Sequence, residues 1–149
     1  DRVHWEIYSQ YSENPFRNYQ KRSVLGLGMR ILLSDTARFG AGALKEDEKD
    51  LGGQTTKTDR LGLYLRDLQE VGENINFHST LYLQPSVKNF DNDYKASIIL
   101  GLDFNVNKNL KITVQYSSFH DSSPPRLAEK TDESLVTKFS YDLSTLWKD

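Results

Sequence analysis

The chain has 149 residues, 27% of them charged, with a net charge of −2 and a mean hydropathy of −0.64. That length suits one domain over 1–149, and no apolar run approaches the roughly 20 residues of a membrane-crossing helix. A near-neutral balance with a pI near 5.9 gives no case for nucleic acid, and the lack of cysteine removes disulfides and thiolate metal sites. The opening "DRVHWEIYSQ" has neither a basic nor an apolar leader segment, so an exported protein is expected here in processed or partial form.

From the N-terminus onward, apolar residues recur with a period of two, the signature of strands with one apolar face. Val3, Trp5, Ile7 and Tyr11 oppose His4, Glu6 and Gln10. In "SVLGLGMRILLSD", Leu25, Leu27, Met29, Ile31 and Leu33 oppose Val24, Gly26, Gly28 and Arg30. Phe39, Ala41 and Ala43 oppose Arg38, Gly40 and Gly42; Leu61, Leu63 and Leu65 oppose Arg60, Gly62, Tyr64 and Arg66. Ile75, Phe77, Leu81 and Leu83 oppose Asn76, His78, Thr80, Tyr82 and Gln84. The parity then changes: Ala96, Ile98, Leu100, Leu102 and Phe104 oppose Lys95, Ser97, Gly101, Asp103 and Asn105. Leu110, Ile112, Val114 and Tyr116 oppose Lys111, Thr113 and Gln115. Last, Leu135, Phe139, Tyr141 and Leu143 oppose Ser134, Lys138, Ser140 and Asp142. Eight strands and no long helix are predicted.

The connections alternate in length. "SDTA", "EVGEN" and "NVNKN" are short turns, whereas "SENPFRN", "KEDEKDLGGQTTKT", "PSVKNFDND" and "HDSSPPRLAEK" are longer. A meander with short turns at one end and long loops at the other has the shape of an outer-membrane barrel. Period two alone also fits a soluble lipocalin-like barrel, with its apolar face turned inward. The glycines favour the first: Gly26, Gly28, Gly40, Gly42, Gly62 and Gly101 share the polar parity with several charges. Inside a narrow barrel they leave room for large neighbours. The expected lumen charge network comprises Glu6, Arg22, Arg30, Arg38, Arg60, Arg66, Asp103, Lys138 and Asp142. Opposite charges there offset desolvation by pairing, above all the arginines of strands two to four with Glu6, Asp103 and Asp142. The expected lipid-facing set is Leu25, Leu27, Met29, Leu61, Leu63, Ile98, Leu100, Leu102, Ile112 and Val114. Trp5, Tyr11, Tyr19, Phe39, Tyr94, Phe104, Tyr116 and Tyr141 lie mainly toward strand ends, as an interfacial girdle would.

The segment "RSVLGLGMRILLSDTARFGAGALKEDE" resembles the middle of the DUF481 family, known as salt-induced outer-membrane proteins. "LKITVQYSSFHDSSPPRLAEKTDESLVTKFSYDL" resembles that family's closing hairpin. Two departures stand out: the family's early Gly-Asn-rich strands are missing, and the last strand runs on through "STLWKD". The resemblance implies an outer-membrane location and brings no established reaction.

Other motifs read as structure. Gly26-Leu27-Gly28 lacks the third glycine and the helix of a dinucleotide site. His120-Asp121-Ser122-Ser123 is the one local group that could be drawn as hydrolytic, but the following Pro124-Pro125 reads as turn chemistry. His4, His78 and His120 have no metal spacing, and "KEDEKD", Lys45 to Asp50, reads as a solvated surface loop. No metal and no cofactor are expected. The expectation is an all-β, antiparallel up-and-down transmembrane β-barrel of about eight strands, or one segment of a wider barrel. Such a barrel would sit in the Gram-negative outer membrane with both termini periplasmic. Its expected partners are outer-membrane lipid and an envelope protein met through loops or rim, in a non-enzymatic structural or interactive role. A narrow diffusion channel and a soluble carrier of an apolar ligand are the alternatives.

Overall fold

The computed structural model describes residues 2–15, 19–126 and 128–143. Eight strands follow one another: β1 (Val3–Asn14), β2 (Tyr19–Leu32), β3 (Arg38–Asp50), β4 (Thr55–Gly72), β5 (Ile75–Pro85), β6 (Tyr94–Asn105), β7 (Leu110–Asp121) and β8 (Thr131–Tyr141). They form one antiparallel up-and-down sheet in the order of the chain. There is no α-helix among the described residues. The run "STLWKD" lies outside the described residues, and Leu143 falls beyond the end of β8.

Turn chemistry fixes the hairpins. The Ser34 side-chain oxygen accepts from the Thr36 and Ala37 amides in the β2–β3 turn. Asn107 Oδ1 accepts from the Asn109 and Leu110 amides before β7. Two expectations about connections change. "KEDEKD" is not a loop: β3 runs through it to Asp50, and the β3–β4 connection shrinks to residues 51–54. The alternation in length is therefore weaker than the sequence suggests, since β1–β2 spans 15–18 while the opposite turn spans 33–37. The later pairs keep it, with 86–93 and 122–130 at one end against 73–74 and 106–109 at the other.

The sheet is strongly curled. In a flat sheet, strands three apart lie about 14 Å from each other. Here the Tyr64 hydroxyl of β4 donates to Glu6 of β1 at 2.7 Å, and Lys95 of β6 donates to Glu46 of β3 at 2.7 Å. Those side chains define the concave face. Glycine permits the crossing at Gly40, where a Cβ would collide with the Tyr64 ring. The ladders are also staggered. His4 leads by direct pairing through Arg30, Gly40, Tyr64, Tyr82, Ser97 and Phe119 to Asp132. That row enters near the first residue of β1 and leaves near the first residue of β8, which point in opposite directions. Across the sheet the strands have slipped by nearly their own length.

The closure that a barrel of these eight strands alone requires, strand eight meeting strand one, does not occur. The ladder order stops at β8, so β1 and β8 remain edges and the sheet is not closed. The curl brings β1 within side-chain reach of β4 but does not carry β8 round to it.

Candidate functional site: the charged concave face

The two faces differ in the opposite sense from a soluble sheet. Among the described residues, Val24 is the buried apolar side chain of the strands, with Pro85 at the end of β5. The buried polar residues are Arg22, Glu46, Arg60, Ser86, Lys95, Thr113 and Asp121. On the convex face Trp5 is 75% and Ile7 81% exposed. Leu25, Leu27, Met29, Leu61 and Leu102 are exposed there as well. Leu63, Ile98, Leu100, Ile112 and Val114 are half-buried among their lateral neighbours.

The concave face carries two separate ionic clusters. The larger centres on Glu46, 3% exposed, which β3 places beside Val24 and Thr58. Arg22 binds Glu46 Oε2 through Nε at 3.1 Å and Nη2 at 2.7 Å. Arg60 Nε lies 3.3 Å from the same oxygen, and Lys95 Nζ reaches Oε1 at 2.7 Å. Lys95 also binds Glu48 at 2.9 Å and approaches Asp121 at 3.5 Å, while Arg60 binds Asp93 at 2.9 Å. Four carboxylates and three cations from five strands and one loop thus tie one end of the curl together. Burial alone would push the Glu46 carboxyl up; the cations at Lys95, Arg22 and Arg60 overcome it and hold the pKa at about 2. Glu46 stands beyond the apolar stretch of the convex face, level with Lys45, Asp47 and Lys57.

The second cluster is smaller and lies toward the short turns. Arg30 Nη1 sits 3.2 Å from Glu6 Oε1, and Tyr64 donates to Glu6 Oε2. The remaining expected members are placed elsewhere. Asp103 accepts from Thr113 at 2.5 Å, with Lys111 at 3.7 Å and His78 Nδ1 at 3.9 Å, and makes no ion pair with the arginines of β2–β4. Lys138 donates to Gln115 at 3.4 Å. Asp142 follows β8, its amide donating to the Asn109 carbonyl. Arg38 and Arg66 share the concave parity and face each other across the β3–β4 ladder, and among the described residues neither has an ion pair or side-chain hydrogen bond.

The single expected network is therefore two clusters, with Asp103 apart from both. The expected partners were also incomplete: Glu46, Glu48, Lys95, Asp93 and Asp121 supply most of the buried pairing. The reading of "KEDEKD" as a solvated loop hid Glu46 and Glu48. A signal was present, because the even positions of that run are Glu46, Glu48 and Asp50, all acidic and all on one face of a strand.

His120, Asp121 and Ser122 do not converge. His120 Nδ1 meets Thr131 Oγ1 at 2.9 Å on the convex parity, and Asp121 turns to Lys95 on the concave side. Ser122 Oγ accepts from the Tyr94 amide and donates to the Asn92 carbonyl. A nucleophile–base contact is absent from this trio.

Fold and face together define a class: an eight-stranded antiparallel meander with an apolar outer surface and an ion-paired interior surface. The chain belongs to the DUF481 family, whose model, described as a protein of unknown function, matches residues 1–143. That description carries neither a salt-induced nor an outer-membrane assignment. No curated protein and no solved structure matches the chain.

Proposed function

We propose that this protein is a non-enzymatic β-barrel of the Gram-negative outer membrane with a structural or partner-binding role. The inverted polarity of the sheet carries the proposal. Leucines and aromatics cover the convex face while charged side chains are withdrawn into the concave one. Water penalises that arrangement over a whole sheet, and a lipid surround rewards it. The stagger of the ladders adds support, since closing eight strands into a barrel requires tilt and a fixed slip between the first strand and the last. Closure would come from β8 meeting β1 or from further strands between them. The connections 51–54, 86–93 and 122–130 would be extracellular, and both termini periplasmic.

The Glu46 cluster favours a filled interior over an open channel, because seven charged side chains cross the concave face at one end. A carrier of apolar ligands fits less well, since its ligand would lie against those charges. Refolding into phospholipid vesicles decides among the three. A membrane barrel becomes protease-resistant and stays with the vesicles after alkaline wash; a carrier remains monodisperse without detergent. Steady single-channel conductance in a planar bilayer would replace the filled barrel with the channel.

A further inference from the structure

We propose that the concave face carries an oxyanion site of the phosphate class, built on Arg38 and Arg66. The two are direct partners in the β3–β4 ladder. Like charges placed opposite each other in a ladder destabilise it, and here neither guanidinium has a carboxylate beside it. The carboxylate that lines the same cavity, Glu6, is already occupied by Arg30 and the Tyr64 hydroxyl. All three arginines and Glu6 line one open cavity of about 470 Å³, together with Tyr64 and Tyr82, whose rings lie 5.8 Å apart. Among the described residues those four are its charged lining, leaving an excess of two positive charges.

The contrast with the other end of the same face is informative. There each cation has a carboxylate within 3.5 Å. A face that pairs its buried charges so thoroughly at one end and leaves two exposed arginines opposite each other in the ladder at the other is suited to a charge supplied from outside. Guanidinium forks match an oxyanion in a bidentate manner, and two of them match a multiply charged one. The site depends only on the geometry of the concave face and stands whether or not the sheet is embedded in lipid.

Inorganic phosphate, titrated calorimetrically into the full chain in a phosphate-free buffer with non-ionic detergent, tests the site. Binding is expected to be saturable and about tenfold weaker or more in Arg38→Gln and in Arg66→Gln. Lys57→Gln, on the convex parity, should bind as the parent does. Phosphate should raise the unfolding midpoint of the parent but not of the two arginine variants. Without phosphate, those variants should unfold at the parent's midpoint or above it, because a repulsion has been removed. Acetate serves as the carboxylate arm and should bind at least tenfold more weakly than phosphate. No saturable binding, an equal loss in Lys57→Gln, acetate binding as tight as phosphate, or a lowered midpoint in the phosphate-free variants would each overturn the proposal.

Discussion

Replacing Glu46 with glutamine should be among the most damaging single changes on the concave face. The substitution keeps the shape and removes the charge that Arg22, Arg60 and Lys95 share. Breaking a buried pair by deleting one partner costs about 3–5 kcal/mol. The lower end applies here, because Lys95 keeps Glu48 at 2.9 Å and Arg60 keeps Asp93 at 2.9 Å. Arg22 suffers most, since its remaining carboxylate, Glu48, is 3.9 Å away. The pH dependence leads to a similar figure. A carboxyl held at about 2 instead of 4.5 corresponds to about 3 kcal/mol at neutral pH. That stability is present above the unfolded pKa and disappears as the pH falls from about 4.5 toward about 2. Equilibrium urea unfolding in detergent at pH 7 and through the acid range would measure both effects. E46Q should lose about 3 kcal/mol at pH 7 and show a flatter acid dependence than the parent. A loss under about 1 kcal/mol, or an unchanged acid profile, would refute the reasoning.

Other outcomes follow from the same geometry. Lys111→Met removes a long, half-exposed contact with Asp103 and should cost less than about 1 kcal/mol in the same unfolding assay. Arginine at Leu27, Leu63 or Leu100 should cost roughly 2–4 kcal/mol in vesicle folding titrations near midplane; arginine at Thr80 or Ser97 should cost less, and equal penalties on both parities would reject the proposed orientation. Gly40→Ala must displace the Tyr64 ring and should cost about 1–3 kcal/mol, with most of the cost absent in a Tyr64→Ala background, as a double-mutant cycle would report. In intact cells, added protease should cut near Gly52-Gly53 and Pro124-Pro125 and spare Lys108, and cleavage at Lys108 would invert the topology.

Period two was enough to read the sheet. Residues such as Leu25, Leu27 and Met29 alternate with Val24, Gly26 and Gly28 so regularly that a strand was the only economical description, and the parity change before Ala96 was visible too. The limits of β3 and β4 were harder. Composition makes "KEDEKD" look solvated, while the ladder that holds Lys45 to Lys49 against Thr55 to Asp59 is a pairing of two polar arms with no apolar alternation to reveal it. The site failed in the same way. Glu6 and Arg30 belong to adjacent strands, and their pairing follows from local register once β1 and β2 align. Lys95 and Glu46 meet only through the curl, which no local pattern encodes, and Asp103 finds its partners on β5 and β7 instead of across the face.

Every ladder in this sheet joins strands that are neighbours in the chain. Assembly by successive hairpins therefore closes only short loops, the kind of contact that forms quickly. The contacts that cross the curl have a different character. Tyr64 and Glu6 are 58 residues apart, and Lys95 and Glu46 are 49 apart. They can engage only after the intervening hairpins are laid down and the sheet has bent. Order of events is thus written into the connectivity: a shallow sheet with hydrated charges comes first, and its curvature is latched afterwards. Mutations at Glu46 should consequently speed unfolding far more than they slow folding.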